Sequence, residues 1–152
     1  MTELTFRRAA AADLGAVVAL LADDELGKTR EDLGPPLNPR YAKAFAAIDA
    51  DPNQYLAVVE EEGAIVGCLQ LSFIPGLSRK GLWRGQIESV RIASARRGGG
   101  RGRRMFEWAI GECRRRGCEV VQLSTDKTRA DARRFYESLG FAASHEGMKL
   151  ML

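Results

Sequence analysis

The chain is poor in the residues that build metal and disulfide sites. Three cysteines (Cys68, Cys113, Cys118) and one histidine (His145) are scattered through 152 residues, with no CxxC pair among them. An odd, unpaired set argues against a disulfide framework, and so few ligands cannot assemble a Cys/His zinc cluster. Reduced, buried thiols in a cytoplasmic protein are therefore expected, and no metal. No apolar run approaches the ~20 residues that a membrane-spanning helix needs, so no membrane partner is expected. The opening MTELTFRRA places Glu3 early and alternates Leu4 and Phe6 with polar neighbours. A signal peptide has a basic end followed by an apolar block, so a cytoplasmic start is expected.

What is present is ordinary in amount and uneven in placement. A hydrophobic fraction of 45% beside 28% charged residues suits a soluble globular chain. The length fits one domain, residues 1–152, with a sizeable core. The net charge of +3 is too mild to predict a polyanion partner. Its distribution says more: Arg96, Arg97, Arg101, Arg103 and Arg104 crowd one stretch, and Arg114, Arg115 and Arg116 follow. A local cluster of this kind suits phosphate.

Periodicity lays out the elements. Residues 3–8 alternate as a strand, and 13–24 read as an amphipathic helix with Leu14, Val17, Val18, Leu20 and Leu21 inward. Residues 27–37 read as loop, and Asn38-Pro39 as an N-cap and first-turn proline opening a helix to about Ala50. Strands follow at 54–60 and 64–74 around the turn Glu61-Glu62-Gly63, then at 86–93. A helix spans 100–116 with Gly117 as its cap. A strand at 119–125, a helix at 130–139 stopped by Gly140, and a strand pair, 141–144 with 148–152, complete the chain. The order predicts an α+β fold with a mixed sheet and helices packed on it.

The informative stretch runs from Val90 to Arg104, VRIASARRGGGRGRR. A strand ends, four glycines follow, and an amphipathic helix begins at once. Glycine permits a tight turn and close approach of a ligand, and the free N–H groups of the helix's first turn point into it. With the helix dipole they form an anion site suited to a pyrophosphate. No Gly-Lys-Ser/Thr ending makes it a Walker loop. No early βαβ unit makes it a dinucleotide fingerprint. A nucleic-acid-binding RGG segment is normally disordered, whereas this run is wedged between a strand and a core helix.

At this point the sequence resembles the GCN5-related N-acetyltransferase superfamily. Arg97-Gly98-Gly99-Gly100-Arg101-Gly102 matches its acetyl-CoA motif Gln/Arg-x-x-Gly-x-Gly/Ala, and Ala132 to Phe141 matches its A-x-x-x-Y-x-x-x-G-F helix and strand. The resemblance covers essentially the whole chain. It implies the acyl-CoA N-acyltransferase fold, a mostly antiparallel central sheet with helices on both faces, and acetyl-CoA as co-substrate.

The resemblance also assigns roles. The main chain of Val90, Arg91 and Ile92 is expected along the pantetheine arm, with the Val90 amide polarising the thioester carbonyl. The amides of Gly98 to Arg103 are expected on the pyrophosphate. Tyr136 matches the tyrosine that protonates the leaving thiolate. Glu88 stands on the strand entering the pocket and is the candidate base for the amine; Gln86 shares its strand face and can only hydrogen-bond. Arg129 replaces a family asparagine and either reaches a cofactor phosphate or faces water. Acceptor selectivity falls to residues 23–51 and 75–84, whose charges conflict: Asp23, Asp24, Glu25, Glu31 and Asp32 suit a polycation, while Arg79, Lys80 and Arg84 suit a carboxylate. The expected partner is a small-molecule amine, with a protein lysine or N-terminus as the alternative acceptor. A silent acyl-CoA sensor or a nucleic-acid-binding module is the alternative function. The resemblance also implies a homodimer that pairs late strands.

Overall fold

The computed structural model describes residues 2–152. Five strands form one sheet in the order β1-β2-β3-β4-β5: β1 Leu4–Arg8, β2 Gln54–Glu61, β3 Ala64–Pro75, β4 Trp83–Ile92 and β5 Val120–Gln122. The first four pair antiparallel, and β5 lies parallel to β4. Parallel neighbours need a crossover, here the helix α4, Arg101–Arg115. The other helices are α1 Leu14–Ala22, the single turn α2 Gly27–Arg30, α3 Pro39–Ala50 and α5 Ala130–Ser138.

The sheet is covered on both faces, which explains the unbroken apolar run Leu56-Ala57-Val58-Val59 in β2, buried throughout. Ala57, Val59, Leu71 and Ile87 pack under Met105, Phe106, Ala109 and Cys113 of α4. Leu56, Val58 and Cys68 pack on the other side under α1 and α3, against Val17, Leu20, Phe45 and Ile48. This is the expected mixed, mostly antiparallel sheet between helices. Beneath α4, a Cβ on Gly85 would stand 2.3 Å from Cys113 Sγ, so a side chain there would push the helix off the strand.

Local signals account for most boundaries. Asn38 Oδ1 accepts from the Arg40 amide at 3.0 Å and Pro39 takes the first position of α3. The β2–β3 turn is two residues, Glu62 and Gly63, both at positive φ, as a twisted hairpin requires. Glu61, read from sequence as turn, belongs to β2. At the end of α4 the Cys118 amide reaches Cys113 O at 2.9 Å across Gly117. Among the described residues no helix is long and apolar enough to cross a membrane.

Three expectations are corrected. Residues 27–30 form a helical turn where loop was read, because the Gly27 amide donates to the Asp24 carboxylate and starts it. The fifth strand is shorter than 119–125, because β4 offers pairing only at Arg84, Gly85 and Gln86. The strand pair 141–144 and 148–152 does not form: no residue from Phe141 to Leu152 is in a strand, and every residue from Ala142 to Leu152 is exposed.

Candidate active site

The site begins with a fault in β4. Cys68 pairs with Arg91 but Gln70 with Glu88, so Leu69 faces two residues, Ser89 and Val90. Ser89 absorbs the extra residue at φ 55°. Such a bulge shifts the side-chain alternation by one and bends the strand. Ile87 before it and Val90 and Ile92 after it all pack on the α4 side. Glu88, opposite Gln70, and Arg91, opposite Cys68, both fall on the α1–α3 side.

Because β5 pairs with β4 only through Gln86, the β4 edge from Ile87 to Ile92 has no strand beside it among the described residues. Here the sheet opens. An extended ligand arm can take the missing strand's place and use the main chain of Val90 to Ile92.

The glycine turn closes this gap at one end. Gly98, Gly99 and Gly100 have φ of 89°, 65° and 76°, and α4 starts at Arg101. A Cβ built on Gly98 or Gly100 meets no protein atom within 4 Å. The ground in front of the helix's free N–H groups is therefore open, as an approaching pyrophosphate requires.

The arginine side chains of this segment are mostly engaged elsewhere. Arg101 forks onto Glu61, with Nη2 2.9 Å from Oε1, and Arg96 Nη1 donates to Oε2 at 3.1 Å. Arg97 Nη2 donates to Asp23 O at 2.7 Å, Arg104 Nη1 to Thr2 O at 2.9 Å, and Arg103 Nη2 to the Ser138 hydroxyl at 3.1 Å. These side chains, expected around a phosphate, hold partners within the chain, while the Gly98 and Gly100 positions face open space.

Glu61 is the centre of that brace, its side chain 1% exposed. The hydrogen bond from Arg101, with the charges of Arg101 and Arg96, holds its carboxyl below the ordinary value against the opposing effect of burial. A depressed carboxyl contributes stability above its unfolded value of ~4.3 and loses it as pH falls through the folded one. The brace is therefore fully formed at neutral pH. Glu61→Gln keeps the shape and removes the charge, and is expected to raise the acetyl-CoA dissociation constant roughly tenfold at pH 7, the scale at which a loosened support acts. Calorimetric titration of both proteins checks this; equal affinities would mean that the loop holds its form unaided.

Glu88 is exposed and accepts a hydrogen bond from Gln86 Nε2 at 2.5 Å, while Gln86 Oε1 accepts from Gln122 Nε2 at 2.7 Å. This chain ties the carboxylate to β5. Beside it, between α1 and α3, lies a pocket of about 170 Å³ walled by Leu14, Val17, Tyr41 and Phe45, with Gln70 and Ser89 at the sheet.

Tyr136 lies on the opposite face, on α5, with its ring 5.4 Å from Phe106 and 6.2 Å from Phe141. Burial raises its phenol pKa, opposed by the positive charges of Arg129 and Arg91.

Asp24, expected among the acidic residues that suit a polycation, is engaged within the fold. It is largely buried, accepts from Arg129 Nη2 at 2.9 Å and lies 3.2 Å from Arg91 Nε. Arg129 thus ties the β5–α5 loop to the end of α1. No spacing rule reveals this pair, since 105 positions separate its members.

Comparison with known proteins agrees with this geometry. Residues 19–141 match the Acetyltransferase (GNAT) family. The chain is 32% identical over 139 residues to an aminoalkylphosphonate N-acetyltransferase of Salmonella typhimurium, covering 91% of this chain and 85% of that one. A crystal structure of a transcriptional regulator from Bacillus halodurans superposes with a TM-score of 0.95 at 48% identity, over 99% of this chain and 100% of the other. A Trypanosoma brucei acetyltransferase follows at TM-score 0.77 and 28% identity, over 99% and 100%. With a family match over most of its length and a glycine cradle beside a split sheet, the chain belongs to the GNAT family of acetyltransferases.

Proposed function

We propose that the protein moves the acetyl group of acetyl-CoA to the primary amine of a small molecule by direct attack in a ternary complex. The observation that carries this reading is the gap past Gln86, where the free edge of β4 runs toward the glycine turn that opens α4.

Bound acetyl-CoA supplies the activated thioester. The Gly98 to Arg103 amides hold its pyrophosphate at the start of α4. The main chain of Val90, Arg91 and Ile92 holds the pantetheine arm as an added strand, and the Val90 amide hydrogen-bonds the thioester carbonyl oxygen, stabilising the negative charge that develops there. Glu88 takes a proton from the incoming ammonium, directly or through one water. Tyr136 keeps a proton ready for the departing thiolate.

The pocket beside Glu88 supports a small acceptor, since about 170 Å³ is close to the ~150 Å³ cavity that admits one benzene-sized molecule. The Salmonella typhimurium relative is named for acting on aminoalkylphosphonates, which are small amines. A nucleic-acid role finds little support, because Arg96, Arg97, Arg101 and Arg104 hold partners within the chain. The test is thiol release from acetyl-CoA across small amines, aminoalkylphosphonates, and lysine and N-terminal peptides. Turnover on peptides alone would overturn the small-molecule acceptor, and binding without turnover on any amine would favour a sensor.

Glu88→Gln separates base from anchor. As base, its loss lowers kcat about tenfold or more at pH 7, and the deficit shrinks as rising pH deprotonates the free amine by itself. As anchor only, its loss raises the amine KM and leaves kcat and its pH profile unchanged.

A further inference from the structure

The acidic residues that suited a polycation are engaged inside the fold. Asp23 Oδ2 accepts from the Ser94 amide at 3.0 Å, and Asp24 holds Arg91 and Arg129. Glu25 pairs with Lys28, Glu31 accepts from the Tyr41 hydroxyl at 2.7 Å, and Asp32 accepts from Asn38 Nδ2 at 3.2 Å. The pocket between α1 and α3 carries no charge of either sign. Leu14, Val17, Leu21, Phe45 and Ile48 wall it, and among the described residues no lysine, arginine, histidine or carboxylate lines it. Arg79, Lys80 and Arg84, which suited a carboxylate, lie outside it. Its polar groups sit at the sheet. Gln70 Nε2 is taken by Gln54 Oε1 at 3.0 Å, which leaves Gln70 Oε1 and the Ser89 hydroxyl without partners among the described residues. Both adjoin Glu88: Ser89 follows it in β4, and Gln70 is its partner across β3. Residues so opposed have Cβ atoms ~5 Å apart.

We propose that the acceptor is a primary amine with an uncharged, apolar body of about one benzene ring in size, an alkylamine or arylalkylamine. This assignment rests on the acetyl-transfer reading, whose acceptor it narrows. The body fills the pocket, and the ammonium stays at the sheet, where Glu88, Gln70 Oε1 and the Ser89 hydroxyl accept its N–H groups. A cavity of about 170 Å³ with aliphatic and aromatic walls favours apolar atoms that leave water to enter it. A phosphonate or carboxylate entering the same walls would give up its hydration with no cation to replace it. An ammonium among them would fare no better, which fixes the orientation: charged end at the sheet, apolar end between the helices. A polyamine, charged at both ends, cannot satisfy that arrangement.

Unbranched alkylamines share nearly one basicity, so a series from ethylamine to octylamine isolates the apolar body. With acetyl-CoA, kcat/KM is expected to rise about fourfold per methylene, equivalent to the ~0.8 kcal/mol of a buried CH₂. The rise should stop near about six carbons, where the pocket is full. 2-Aminoethylphosphonate is expected to fall about a hundredfold or more below hexylamine. Ala44, exposed on α3 and part of the lining, offers a variant that leaves the core alone: Ala44→Phe should move the optimum to shorter amines. A flat series overturns the proposal. So does a phosphonate that matches hexylamine, or an optimum that Ala44→Phe leaves in place. Methyl NMR at Leu14 and Val17, recorded as hexylamine is added in the presence of CoA, separates this proposal from the reading it rests on. Shifts without turnover on any amine overturn acetyl transfer and keep the site's apolar selectivity. No shifts overturn the pocket assignment, whatever the turnover.

Discussion

Gly100→Glu is expected to raise the acetyl-CoA dissociation constant about a hundredfold, close to 2.7 kcal/mol, while Gly117→Glu leaves it unchanged. The two glycines stand at opposite ends of α4 with nearly the same backbone, φ 76° and 82°, and neither has a protein atom within 4 Å of a built Cβ. Their backbone penalty for a side chain is therefore similar, roughly 1 kcal/mol each. The charge acts in opposite senses. A carboxylate at position 100 complements the positive N-terminal end of the helix, and one at position 117 opposes the negative C-terminal end. In the free protein Gly117→Glu should thus lose more melting temperature than Gly100→Glu, by a few degrees in a chain of this length. In cofactor binding the order inverts, because only the side chain at 100 fills the cradle with bulk and negative charge. Calorimetric titration and thermal melts on the pair check both orders. Loss of affinity that simply tracks loss of stability would remove the pyrophosphate role from this turn.

The contrast between those two glycines also marks what was legible in the sequence. Gly117, Asn38-Pro39 and Glu62-Gly63 are local signals, decided by a few residues of chain, and they set the helix ends and the hairpin within a residue or two. The run from Val90 to Arg104 was legible for the same reason, since strand, turn and helix follow without interruption. The roles of side chains that reach across the fold were not. Glu61 is fixed by Arg96 and Arg101, 35 and 40 positions away, and nothing near Glu61 announces its burial. Ser89 takes a left-handed conformation because β3 has one residue fewer opposite it; no glycine marks the place. The last strand was legible as a pattern in Met148, Leu150 and Leu152, and its absence from the sheet was not. Period two says that a segment can pair, and says nothing of what lies beside it.

Tyr136→Phe is expected to lower kcat about a hundredfold with acetyl-CoA affinity kept within twofold. General-acid contributions run from ~10² upward, and the substitution removes only the hydroxyl. The ring contacts with Phe106, Phe135 and Phe141 are apolar and remain, so the melting temperature should move little. Burial raises the phenol above its usual ~10, so the proton is in place at neutral pH and well beyond it. The same burial would make the proton hard to release, since a free thiol near ~8.5 is the stronger acid. Arg129 and Arg91 act against that obstacle: their positive charges favour the phenolate formed as the proton leaves. Asp24 holds both arginines in place, and its own negative charge offsets part of theirs. If Tyr136 is the acid, kcat and kcat/KM fall together, because the lost interaction exists only as the thiolate departs. Unchanged turnover would leave the tyrosine as packing for α5, and the proton for the thiolate would then have to come from solvent through the open sheet.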